Sequence, residues 1–197
     1  LKRMGGEKMG LSETEMASIV KLWRIANPKI VECWDAVGDA AVRAVKYGKK
    51  IVLEDFRNLT FEFNGDVLTI ELPSGRKLFY KSACIITNRF GTSAVKYKGL
   101  DQVTKKWWWI DSYGGKFVEN IIQAISRDIL ADSMHRLMKA DFKVCMHVHD
   151  EVVIEIDKVE AEKSLEKICE VLGTEVSWAK DLPLTADGYI TEFYKKD

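Results

Sequence analysis

Residues Val144 to Ile156 read VCMHVHDEVVIEI. Val144, Met146 and Val148 alternate with Cys145, His147 and His149, and Val152, Ile154 and Ile156 then alternate with Val153 and Glu155. A period of two marks half-buried strands. The pattern predicts a strand, a tight acidic turn and a second strand, with Asp150 and Glu151 at the tip. A carboxylate on a rigid hairpin suits a hard cation such as Mg²⁺, which takes one or two protein carboxylates and completes its shell with water and substrate phosphates. An ordinary surface hairpin would read the same way, because Asp favours turns for backbone reasons of its own.

Immediately upstream, Tyr113 to Met138 read YGGKFVENIIQAISRDILADSMHRLM. The spacing predicts a long amphipathic helix opened by the Gly-Gly pair. At about 100° per residue, Val118, Ile121, Ile122, Ile125 and Ile129 fall on a core side, while Lys116, Asn120, Gln123 and Arg127 gather on the other. A line of amide and cationic side chains suits a nucleic-acid groove, with Gln and Asn at base or sugar edges and Lys and Arg at phosphates. A plain solvated face has the same composition.

The N-terminal part reads as helices. Ser12-Glu13-Thr14-Glu15 is a capping box, predicting a helix from Glu13 to Ala26. Asn27-Pro28 ends it and starts another, with Ile30, Trp34, Val37, Ala41 and Val45 at helical spacing and Gly48 as terminator.

From Ile51 to Ile110 the pattern turns to short strands. Phe61 to Phe63, Asn64-Gly65 and Val67 to Ile70 form a hairpin signal, because Asn-Gly accepts the positive φ of a tight turn. Pro73-Ser74-Gly75 is a further turn, followed by strands at Lys77 to Tyr80 and Ala83 to Thr87. Arg76 is placed to meet a phosphate or merely solvent. Trp107-Trp108-Trp109 must point to alternating faces of a strand, so at least one ring faces away from the core, to pack elsewhere or to stack on an unpaired base. Beyond the acidic hairpin, Asp157 to Glu160 predict a cap, Ala161, Leu165, Ile168 and Leu172 a helix face closed by Gly173, and Leu182 to Tyr194 a returning strand.

Composition is that of a folded chain. Its 197 residues, 47% apolar, suffice for one substantial core. Thirty basic and thirty acidic residues cancel, so no global positive field marks an autonomous DNA-binding module. Cys33, Cys84, Cys145 and Cys169 form no CxxC pair and read as free buried thiols in a reducing compartment. No stretch approaches the roughly 18 apolar residues of a membrane span, and no leader opens the chain, so the expected location is cytoplasmic, with no membrane partner.

The donor-lined helix followed by the His-Asp-Glu hairpin resembles the palm of family A DNA polymerases, and YGGKFVENIIQAISRD is similar to the phage-type branch. LPSGRKLFY at Leu72 to Tyr80, WRIANPKIVECW at Trp23 to Trp34 and the closing LPLTADGYITEFYKKD carry the resemblance through nearly the whole chain. The tripeptide alone is weak; its order with the other segments is specific.

The resemblance implies an α+β fold made of a partial polymerase palm, an antiparallel sheet with long helices, plus the distal helices of the fingers and a small β-rich insert. Residues 1–48 would be the fingers helices, 49–111 the β-rich region and 112–197 the palm. It implies template-directed nucleotidyl transfer in DNA replication, with primer-template DNA and deoxynucleoside triphosphates as partners and two Mg²⁺ ions as cofactors. One ion would activate the primer 3′-hydroxyl and the other steady the leaving pyrophosphate.

Asp150 matches a catalytic, metal-holding aspartate, Glu151 its neighbouring carboxylate and His149 a histidine close to the primer terminus. Gln123 matches a glutamine in the duplex minor groove, and Asn120, Lys116 and Arg127 extend the DNA-binding line. The family's Asn four residues before that glutamine is Glu119 here, with Asn120 beside it.

The family's other catalytic aspartate and its nucleotide-binding fingers helix precede the matched part, and LKRMGGEKMGLSETE is similar to the segment just after that helix. The chain therefore resembles a C-terminal portion that needs an N-terminal polymerase portion as partner and is expected to be inactive alone. Two other classes remain. One is a non-catalytic nucleic-acid-binding or structural module with a polymerase-like fold. The other is a metallohydrolase holding zinc through His147, His149 and Asp150.

Overall fold

The computed structural model describes residues 5–88, 90–101 and 103–195. The first four residues and the last two, which belong to the quoted terminal motifs, lie outside the described residues. The fold is α+β, with four α-helices, a six-stranded antiparallel sheet and a separate two-stranded sheet among the described residues. It divides into two compact units. The first comprises Leu1–Ile70 and Lys77–Glu119, and the second Glu71–Arg76 and Asn120–Asp197.

In the first unit, α1 (Glu13–Ala26) and α2 (Pro28–Tyr47) have the predicted bounds because their end signals are local. The Ser12 amide donates to Glu15 Oε2 at 2.8 Å and the Glu15 amide donates to Ser12 Oγ at 3.2 Å, closing the capping box. Pro28 opens α2 and Gly48, at φ 62°, terminates it. Trp23 and Trp34 stack with ring centroids 5.6 Å apart. Burial on α2 begins at Val37 and continues through Ala40, Ala41, Ala44 and Val45, whereas Ile30 is exposed.

The six strands run in chain order: β1 (Ile51–Leu53), β2 (Leu59–Phe63), β3 (Leu68–Glu71), β4 (Lys77–Thr87), β5 (Ser93–Leu100) and β6 (Trp107–Ser112). Helix α2 packs on β1, β2, β4 and β5. Phe61, Leu68, Ile70, Val37 and Val95 are fully buried there, and Tyr80 meets Tyr97 and Phe117 edge-on at 4.8 and 5.0 Å. The Asn64-Gly65 turn is wider than a two-residue hairpin loop: Asn64 Oδ1 accepts the amides of Asp66 and Val67, so the side chain organises residues 64–67. The two strands expected at 77–80 and 83–87 are one, β4, whose register to β5 shifts between Lys81 and Cys84, with Ser82 at φ 52°. A bulge absorbs the break that the sequence suggests.

Helix α3 (Gly114–Lys139) starts in the first unit and continues in the second. Its buried residues are Phe117, Ile121, Ala124, Leu130, Ser133 and Leu137. The expected core side is thus displaced: Ile122 is exposed, and Val118, Ile125 and Ile129 are half-buried. A weakly amphipathic helix, with apolar residues on several sides, leaves its phase to its neighbours, here the large ring of Phe117 against Tyr80.

In the second unit, β7 (Val144–Val148) pairs with β8 (Glu151–Ile154), and α4 (Ala161–Leu172) follows a short 3₁₀ turn, Lys158–Glu160. No side chain caps α4; the expected cap is replaced by that turn, in which the Glu160 amide donates to Asp157 O at 3.0 Å. Leu182 to Tyr194 forms no strand. Pro183 has no amide to give, and the Gly188 amide is taken by Asp187 Oδ1 at 2.8 Å, which removes two donors from any ladder here. Cys33, Cys84 and Cys169 are half-buried and Cys145 is exposed, correcting the expectation of buried thiols; all four are free. Burial, and secondarily Glu32, raises the Cys33 thiol above its usual range.

Arg76 is tied to the protein rather than left only to solvent. Its Nε donates to Asp128 Oδ1 at 2.6 Å and its Nη2 to Ala124 O at 2.7 Å, while Ser74 Oγ donates to Asp128 Oδ2 at 2.5 Å. These bonds fasten the Leu72–Arg76 turn onto α3 within the second unit.

Candidate active site

Strands β7 and β8 meet in a register of His147 with Val152 and Val148 with Glu151. That leaves a two-residue turn, His149-Asp150. His149 adopts φ 52°, the positive value that the first central residue of a primed hairpin turn requires. Asp150 therefore occupies the apex, as expected. Glu151 does not share it: it is the first residue of β8, held in register opposite Val148.

An extra residue on β7 separates Val144 from Met146 in the register, so Cys145 bulges from the ladder. At the open end, Lys143 Nζ meets Glu155 Oε2 at 2.7 Å. The hydrogen bond from Lys143, then its charge, lowers the Glu155 carboxyl below its usual range. The hairpin is thus fixed at both ends, by a short turn and by an ion pair.

His149, Asp150 and Glu151 are exposed. Among the described residues, neither the Asp150 nor the Glu151 carboxylate has a side-chain hydrogen bond or ion pair. Both offer hard oxygen donors of the kind Mg²⁺ takes. Among the described residues no three His, Cys, Asp or Glu side chains converge to hold a metal ion. The donors suit Mg²⁺ in kind, but two carboxylates are fewer than a metal site built by the protein alone would use. The zinc set of His147, His149 and Asp150 is not assembled, because His147 faces a cation instead.

That cation is Arg127, whose Nη2 lies 3.4 Å from His147 Nε2. The line of donors on α3 and the hairpin therefore meet within the second unit. Gln123 and Arg127 are exposed and Asn120 is half-buried; Lys116, also half-buried, stands on the same helix but within the first unit. The α3 stripe at positions 116, 120, 123 and 127 keeps the predicted helical spacing. The sequence pattern marks His147 only as a candidate metal ligand. Its strand parity with His149 was the available signal for a role beside the hairpin apex.

The chain is 46% identical over 198 residues to the DNA polymerase of Bacillus phage SP02. The match takes in all of this chain and 30% of that protein's length. No family profile matches the chain, and no solved structure does. Among the described residues, no helix is long and apolar enough to cross a membrane.

Proposed function

We propose that the chain is the C-terminal part of a phage-type family A DNA polymerase, carrying out template-directed nucleotidyl transfer when joined by the rest of the enzyme. The observation that carries this reading is the match of the whole chain to 30% of a phage DNA polymerase, with an aspartate at a hairpin apex that has no side-chain partner among the described residues. In this reading residues 1–48 contribute distal fingers helices, 49–111 a β-rich insert and 112–197 the palm.

Asp150 is the residue that holds Mg²⁺, with Glu151 supporting it from the start of β8. Bound Mg²⁺ supplies charge neutralisation at the attacking 3′-oxygen and the leaving pyrophosphate. The protein's own contribution is placement. His149, fixed by its positive φ, stands beside the primer terminus; Gln123 and Asn120 meet duplex edges; Lys116 and Arg127 meet phosphates. One apex carboxylate and its neighbour leave the donor set short, so the 197 residues alone are expected to be inactive.

Primer extension with Mg²⁺ and the four deoxynucleoside triphosphates tests this, first with the chain alone and then with a polypeptide supplying the remaining polymerase portion. Extension only on complementation is the expected result. No extension from a folded chain with the added polypeptide bound would move the reading to a non-catalytic nucleic-acid-binding module.

A further inference from the structure

The outer face of β4, β5 and β6 carries a concentration of charge and aromatic surface that the hairpin site does not use. In register, Lys98 stands opposite Lys81 on one side and Trp109 on the other, and Lys96 stands opposite Asp111. Strand alternation puts Trp107 on this face and Tyr97 and Val95 on the buried one. Lys98 Nζ lies 5.1 Å and Lys96 Nζ 5.9 Å from the Trp109 ring centroid. Trp107 is 58% exposed, and Phe79, two residues before Lys81 on the same side of β4, is 66% exposed.

Like charges directly opposite one another on a sheet are destabilising, and Lys81 and Lys98 are such a pair. Asp111, 3.3 Å from Lys96 Nζ, offsets one of the three lysines. The remaining positive charge calls for an anion, and the exposed rings beside it call for planar apolar groups. An unpaired polynucleotide strand supplies both, phosphates for ammonium groups and bases for indoles. A duplex keeps its base faces stacked and offers only the first. An added β-strand from a protein is disfavoured by Lys105 and Lys106, both exposed at the start of the edge strand β6.

We propose that this face binds single-stranded DNA, with Lys81, Lys96 and Lys98 at phosphates and Trp107 stacking on a base. The choice of DNA over RNA rests on the proposed function; the charge and stacking argument does not.

The test is fluorescence anisotropy of a labelled oligo(dT) of about twelve nucleotides, within the range of single-strand sites, in chelator and across a salt series. The expected result is saturable binding by the 197-residue chain, accompanied by tryptophan quenching. Trp107→Ala should weaken it about 5- to 100-fold, with Trp107→Phe retaining most of the affinity. Lys98→Ala should reduce the slope of log K against log salt by about 0.7, the share of one phosphate contact on a single strand. Lys29→Ala, which removes an exposed lysine on α2 away from this face, should bind as the parent does.

Absent binding at about 50 mM salt, unchanged affinity in Trp107→Ala, or an unchanged salt slope in Lys98→Ala overturns the proposal. So does complete competition by the complementing polypeptide without DNA, which would make the face an internal contact of the longer protein. Oligo(dT) binding without extension on complementation leaves this face standing while the polymerase reading falls. Extension with no oligo(dT) binding does the reverse.

Discussion

Arg127 on α3 places its Nη2 3.4 Å from Nε2 of His147 on β7. A guanidinium has only donors, so the contact is a hydrogen bond only where His147 Nε2 accepts and the ring proton sits on Nδ1. The contact ties the helix that carries the donor stripe to the strand that leads into the Asp150 turn. Nitrogen-15 NMR of the chain should find the Nδ1–H tautomer of His147 favoured, and Arg127→Ala should remove that preference while leaving His135 unchanged. An Nε2–H tautomer in the parent would contradict the contact.

The Asp150 prediction separates chemistry from binding. In the complemented enzyme, Asp150→Asn keeps size and turn propensity but removes the charge that holds Mg²⁺. The extension rate should fall on the order of 10²- to 10⁴-fold, matching the several kcal/mol that metal-held charge stabilisation contributes. Affinity for primer-template DNA should stay within a few-fold of the parent. Equal losses in rate and binding would assign Asp150 to holding DNA instead.

What the sequence made legible was local. The Ser12 capping box, Pro28 at the head of α2 and Gly48 behind it are complete within a few residues, and both helices obey them. The apex position of Asp150 was legible too, since alternation on either side leaves little choice of turn. The misplaced features depend on distant neighbours. The phase of α3 is set by Phe117 packing on Tyr80, the continuity of β4 needs β5 beside the Ser82 bulge, and the Arg76 clamp joins residues 52 positions from Asp128. Periodicity carries none of these pairings.

Gly114 shows how one such pairing constrains a residue. A Cβ there would stand 1.8 Å from Trp34 O, a backbone atom that cannot swing aside. Replacing Gly by Ala in a helix ordinarily stabilises by about 1 kcal/mol. Gly114→Ala should reverse that sign and destabilise by about 2 kcal/mol or more through overpacking, read as a lower urea midpoint. At Gly115 the nearest atom is 3.1 Å away on the exposed Tyr113 ring, so Gly115→Ala should be close to neutral.

Asp128 holds two partners, Ser74 and Arg76, and its own side chain is 13% exposed against 44% for Arg76. Removing the carboxylate leaves a hydroxyl and a guanidinium without that acceptor. Asp128→Ala should cost about 1–2 kcal/mol, the range for a charged hydrogen bond discounted for the solvent around Arg76. Lys29→Ala, which removes an ion pair whose lysine is 90% exposed, should change the urea midpoint negligibly. Similar losses in both would mean that the Leu72–Arg76 turn is not held by Asp128.

The Lys143–Glu155 pair makes the open end of the hairpin sensitive to acid. Lys143 lowers the folded Glu155 carboxyl below its ordinary value of 4.5. A carboxylate depressed in the folded state adds stability that is fully present above the unfolded value and is lost as pH falls through the lower, folded one. Amide exchange protection of β7 and β8 should therefore hold down to about pH 4.5 and decline below it. Glu155→Gln should flatten that decline, and high salt should mimic the substitution, because both side chains are largely exposed and the pair is screened. A decline of equal size in Glu155→Gln would place the acid-sensitive group elsewhere in the hairpin.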